Sequence, residues 1–228
     1  MWSWTVFLDY LFDPRIVRAA FITLAVAAVA QAAATVIGFV VALGLRAEAV
    51  LPRVAGEAFV WLFRSTPPLL QLLLFYFGLP QLGLRLSVLE AGLLCLSLYA
   101  AAYMAEVVRA ALDSVDQGQV EAARAIGLSR AETMRSVVLP QALRVMLPPF
   151  GNEFSSMMRT TSLLSVISFE ELLRVTTLVI NETFRAFELY AVAACWYLAM
   201  TSAWLVVQAW LERRTTIEAT VRPAATPA

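Results

Sequence analysis

The sequence predicts an all-α, polytopic membrane bundle of about five transmembrane helices, and three observations carry that reading. Of the 228 residues, 61% are hydrophobic and 15% charged, against roughly 45–50% and 25% in soluble domains. Residues 19–45, 65–84, 91–105 and 189–211 contain no charged side chain. A hydrocarbon core of ~30 Å needs ~20 helical residues to cross, so only 91–105 falls short. Arginines, finally, gather on alternate sides of these runs.

The elements follow in chain order. Asp13 can accept from orphan amides and Pro14 suits a first helical turn, so helix one begins near residue 14. Residues 1–10 lack the basic n-region of a cleaved signal, and the apolar run after them is too long for one; helix one is expected to stay in the mature chain. Helix two, 65–84, opens on Ser65-Thr66-Pro67-Pro68, where it must bend and where Arg64 can supply donors to freed carbonyls. The short run grows into a third span, 86–112, once Glu90 is placed at headgroup depth. Residues 143–169 hold Arg144, Glu153 and Arg159; they suit a helix lined by other helices and are counted as the fourth span in order. The last span is 189–211. Trp2, Trp4, Trp204 and Trp210 read as interfacial anchors. One domain then covers 1–214 with a long loop at about 113–143, and the Thr-, Ala- and Pro-rich stretch 215–228 reads as a disordered tail.

With the C-terminus inside, the inner segments hold nine arginines (Arg46, Arg53, Arg124, Arg130, Arg135, Arg144, Arg213, Arg214 and Arg222). The outer ones hold five (Arg15, Arg18, Arg85, Arg174 and Arg185). The positive-inside rule therefore expects the N-terminus outside and the C-terminus in the cytoplasm.

Absences exclude chemistry. All 17 basic residues are Arg, balanced by 17 acids, and His does not occur. Without lysine no P-loop can be written; without histidine neither a Ser-His dyad nor a His-ligated metal site can be built. No basic arm exists to neutralise a nucleic acid. Cys95 and Cys195 lie in apolar runs, where a thiol behaves as a small hydrophobe.

The loop between spans three and four carries the sharpest signal. Val120, Ala123, Ile126, Met134 and Val137 recur at near-helical spacing, which predicts two short amphipathic helices. Asp116 with Gln119, and Ser129 with Glu132, fit capping boxes, and Gly127 is placed to end the first helix in the left-handed region. Pro140 and Pro148-Pro149 are expected to interrupt the approach to the next span.

Glu121-Ala122-Ala123, three residues, Gly127, nine residues, Val137, one residue and then Leu139-Pro140 resembles the EAA loop of permease subunits in binding-protein-dependent ABC importers. Val137 stands where isoleucine is usual. Residues 63–80, 96–129 and 139–172 look like the polar amino acid subfamily, with Arg64-Ser65-Thr66-Pro67 where Arg-Gly-Thr-Pro is typical, and Arg159 where a nearby lysine is frequent.

That resemblance implies an ABC importer type I permease in a bacterial inner membrane. It pairs with a second, identical or homologous permease, sits on a dimer of ATPase subunits and receives an amino acid from an extracytoplasmic solute-binding protein. The chain would be no enzyme and hold no cofactor, ATP and Mg²⁺ belonging to the ATPase. Glu121, Ala122, Ala123, Gly127, Leu139 and Pro140 would couple to that partner.

Charges at membrane depth are costly, so Arg64, Glu106, Glu153 and Arg159 are candidates for the solute path, with Asn152, Thr161 and Ser162. Arg159 could meet an α-carboxylate, and Glu153 or Glu106 an amino group. Mutual ion pairing is the alternative. Other readings are a permease for an amino-acid-like opine or amine, an ATP-independent secondary transporter with ions on its intramembrane acids, and an intramembrane hydrolase, for which little chemistry remains without His or Lys.

Overall fold

A computed structural model describes residues 2–215; the tail at 216–228, Arg222 included, lies outside the described residues. Helix α1, Trp4–Leu11, begins where the Ser3 hydroxyl accepts from the Val6 amide (3.4 Å), an element the sequence reading did not foresee. Helix α2, Pro14–Leu45, starts as expected, with the Asp13 carboxylate accepting from the Arg15 amide at 2.8 Å and Pro14 in the first turn.

The second expected span, 65–84, is the latter half of a bent pair whose first helix precedes it. α3, Val50–Ser65, ends at Thr66-Pro67 and α4, Pro68–Leu73, leaves at 103°. Pro67 and Pro68 lack the amides a straight helix would use there. The path continues through a π turn, Leu74–Gly78, and a 3-10 turn, Leu79–Leu82, closed by left-handed Gly83. α5, Val88–Asp113, opens on a capping box between Ser87 and Glu90.

The loop helices are α6, Gln117–Ala125, and α7, Arg130–Thr133, the latter running through a π turn, Met134–Val138, into α8, Leu139–Thr160. A 3-10 turn, Thr161–Ile167, leads to α9, Leu172–Thr183, and α10, Ala186–Thr215, completes the bundle.

The prolines do not interrupt α8. A π turn directly precedes Pro140, with the Leu139 amide donating to the Met134 carbonyl five residues back. Pro80 is preceded in the same way, Leu79 donating to Leu74. The wider turn moves away the carbonyl that the proline ring would strike. Pro148 and Pro149 lie inside α8, where α10 covers the disturbed turn. Gln208 Nε2 donates to the Pro148 carbonyl (3.2 Å) and Trp204 Nε1 to that of Gly151 (2.8 Å). Trp204, expected at an interface, instead stacks edge-on against Phe154 at 4.5 Å.

Among the described residues three helices are long and apolar enough to cross a membrane, Pro14–Leu45, Val88–Asp113 and Ala186–Arg214, and a fourth if the bent α3–α4 pair counts as one. α8 falls below that apolarity because it carries Arg144, Glu153 and Arg159, and it packs against α5 and α10. The core lies largely between α2 and α5, and one buried cluster holds Ala20, Ala27, Ala30 and Ala34 of the first with Ala91, Cys95, Ala100, Ala101 and Met104 of the second. Gly38 permits the closest approach: a Cβ there would stand 2.6 Å from Met104 Cβ. Small residues at such contacts are how helices associate in lipid, where apolar burial drives little.

Candidate functional site: the α6–α7 loop and the membrane-depth charges

Local chemistry builds the loop. The Asp116 carboxylate accepts from the Gln119 amide at 3.2 Å. This box is only half formed, because Gln119 Oε1 accepts instead from Gln141 Nε2 (2.7 Å), tying α6 to the first turn of α8 beside Leu139 and Pro140. α6 ends in a Schellman closure: the Leu128 amide donates to Ala123 (3.1 Å), the Gly127 amide to Arg124 (3.0 Å), and Gly127 takes φ +92. At α7 the box is complete, the Glu132 amide reaching Ser129 Oγ (3.3 Å) and the Ser129 amide reaching Glu132 Oε2 (2.9 Å). These donors from the Ser129 hydroxyl and amide hold the Glu132 carboxyl below its ordinary range.

Ala123 is buried, and Val120 of the same helix packs against a small apolar cluster of Ala42, Val108, Ala111, Leu112, Val138 and Ala142 on the ends of α2 and α5, the π turn and the start of α8. Glu121, Ala122 and Gly127 are exposed, and Ile126 is 81% exposed. A rigid, capped helix thus turns a mixed acidic and apolar face outward.

The membrane-depth charges fall into two groups. Arg64, in the last turn of α3, has Nη1 3.9 Å from Glu106 Oε1 and its guanidinium 5.2 Å from the Tyr103 ring. Glu106 bonds more closely to Arg109 Nη2, at 2.6 Å. Arg64 does not hold the α3–α4 break. Buried Gln71 does, its Nε2 donating to the Phe63 carbonyl (3.0 Å), the Thr66 carbonyl (3.1 Å) and Thr66 Oγ1 (2.8 Å), because it lies inside the bend one turn along α4.

Arg159 and Glu153 form the second group, on α8, and among the described residues neither has an ion pair. Asn152 is exposed. Arg159 and Ser162 line a cavity of about 600 Å³ with Leu173, Tyr197 and Thr201. Thr161 is buried and spends its hydroxyl on the Met158 carbonyl (2.8 Å), as Ser162 does on that of Arg159 (2.7 Å). These hydroxyls therefore serve their own helix as donors. The cavity's free donor is the guanidinium.

Glu171 escaped the sequence reading. It is fully buried, caps α9 through the amides of Leu173 (3.0 Å) and Arg174 (2.7 Å), and accepts from the Tyr197 hydroxyl at 2.9 Å. An acid directly before the apolar Leu172-Leu173 pair was the available signal.

Comparison with known proteins fits this arrangement. Residues 34–217 match the family described as binding-protein-dependent transport system inner membrane component. The probable glutamine ABC transporter permease protein GlnM of Bacillus subtilis is 37% identical over 84% of this chain and 89% of its own length. The arginine transport system permease protein ArgU of Corynebacterium glutamicum is 35% identical over 93% of this chain and 72% of its own. A crystal structure of an amino acid ABC transporter with histidines superposes with a TM-score of 0.87 at 33% identity, covering 94% of this chain and 99% of that one. The chain belongs to the family of binding-protein-dependent transport system inner membrane components.

Proposed function

We propose that this chain is the permease subunit of an ATP-driven importer for polar amino acids. It works as one of two permeases on a pair of ATPase subunits that hold ATP and Mg²⁺, and an extracytoplasmic binding protein delivers the solute. The chain itself holds no cofactor. The single observation that carries this reading is the capped, outward-turned α6, whose exposed Glu121 and Ile126 sit on a helix closed at both ends. Such a unit can transmit displacement as a rigid body, and Glu121 can pair with a basic groove on an ATPase. The glutamine and arginine named for the relatives support a polar amino acid as solute. The loop faces the cytoplasm, the N-terminus lies outside, and residues 1–214 form the membrane domain in the bacterial inner membrane.

The solute path includes Arg159. A guanidinium without an ion pair beside a cavity of about 600 Å³ is a ready partner for an α-carboxylate. Glu153, on the same helix, supplies an acid for the amino group, and Arg64 with Glu106 forms a separate polar station on α3 and α5. Reconstitution with a P-loop ATPase and a binding protein, followed by uptake of labelled glutamine and arginine, tests the reading. Uptake should require ATP. Arg159→Met should cut it at least tenfold and Arg159→Lys less, with subunit assembly unchanged. ATP-independent uptake by the chain alone would contradict the proposal, and wild-type uptake by Arg159→Met would remove Arg159 from the path.

A further inference from the structure

The loop encloses a second cavity, distinct from the one at Arg159. It measures about 240 Å³ and lies between the end of α2, the end of α5, α6 and the α7 turn. Arg46, Arg124 and Arg130 line it, against Asp113 as the one carboxylate. The charges do not cancel. Arg46 pairs with Asp113, which also stands 3.7 Å from Arg109 Nη1 outside the cavity. Arg130 is 3.9 Å from Glu48, both being largely exposed, and Arg124 has no ion pair among the described residues.

A different kind of observation points to an occupant. Thr133, on the same wall, is 2% exposed, and its Oγ1 is buried without a hydrogen-bond partner. A buried hydroxyl left without a partner forfeits its hydration with nothing in return, so such groups are seldom abandoned. Three arginines around one cavity, beside a hydroxyl left without a partner, are the chemistry that recognises a phosphate group.

We propose that this cavity binds a phosphate group, which joins α6 through Arg124, α7 through Arg130 and Thr133, and α2 through Arg46. The occupant sets the position of α6 on the bundle. Two sources share the chemistry: the headgroup of an anionic phospholipid, favoured by the site's position where α2 and α5 end, and free phosphate. The inference does not depend on which solute is carried.

The test uses the full chain, purified and delipidated in detergent. Bound ligand is followed by native mass spectrometry and by thermal unfolding, with dioleoylphosphatidylglycerol and inorganic phosphate as probes. Dioleoylphosphatidylcholine and chloride are the controls. One or both probes should bind and raise the unfolding temperature where the controls do not; the lipid alone identifies a headgroup, and phosphate identifies a soluble anion. Arg124→Gln should weaken binding at least tenfold and Thr133→Val at least threefold. Thr133→Ser should retain it, as should Arg53→Gln, a nearby exposed arginine outside the cavity. Absence of binding above the controls would overturn the proposal, and so would equal binding by the wild type, Arg124→Gln and Thr133→Val.

Discussion

The two ends of this bundle are closed by opposite means. At the α9 end the bonds join distant parts of the chain: the Leu172 amide to Thr23 Oγ1, Ser3 to Glu188, Trp196 to the Leu11 carbonyl, and Arg15 to Glu182. At the α6 end the caps reach only three to five residues, as at Asp116–Gln119, Ala123–Leu128 and Ser129–Glu132, and the longer ties are Gln119–Gln141 and two solvent-facing ion pairs, Arg46–Asp113 and Arg130–Glu48. Long-range bonds make one cooperative plate of α1, α2, α9 and α10. Local caps make short rigid pieces that can shift together without losing their own structure. An importer that must move at one face and hold its helices at the other has use for both.

Substitutions can sharpen this contrast. The largest loss is expected for Glu171→Ala, which strands two amides and the Tyr197 hydroxyl in the interior; unfolding in detergent should show about 3 kcal/mol less stability. Tyr197→Phe removes one hydrogen bond to a buried carboxylate and should cost about 2 kcal/mol by the same measurement. At the other end Gly127→Ala forces a Cβ into φ +92 and should cost about 1 kcal/mol, read as faster hydrogen exchange confined to residues 117–128. Global loss of protection there would abolish the distinction between the ends.

The smallest effect concerns pH. The Glu132 carboxyl lies below its ordinary 4.5 because Ser129 donates to the charged form. A lowered value in the folded state means that the α7 cap contributes above the ordinary value and is lost as the pH falls through the lowered one. Exchange at residues 129–133 should therefore be constant from pH 7 to about 5, after correction for intrinsic rates, and accelerate only in the acid range below it. Ser129→Ala should weaken that acid dependence, leaving the part supplied by the amide of residue 129.

The same contrast explains what could be read from the sequence. Asp13, Asp116, Gly127 and Ser129 act within a few residues, so their roles were legible from spacing alone. Long apolar runs likewise announced α2, α5 and α10. Gln71 and Glu171 act across a bend or between helices, and nothing in their neighbourhood says which carbonyl or hydroxyl they will meet. The uninterrupted passage through Pro140 depended on a π turn, a register choice that residue preference does not signal. The packing of Trp204 is hidden for a similar reason: its partner, the Gly151 carbonyl, is 53 residues away.

On the proposed function, α6 is the movable, partner-facing piece of an otherwise tied bundle. Co-purification of the full chain with its ATPase, comparing the wild type with Glu121→Arg combined with Gly127→Pro, tests it most directly. Charge reversal should repel a basic groove and proline should distort the closure at Gly127. Recovered ATPase should fall at least tenfold while the chain still inserts and the α9 end keeps its exchange protection. Undiminished recovery of the ATPase by the double variant would contradict it.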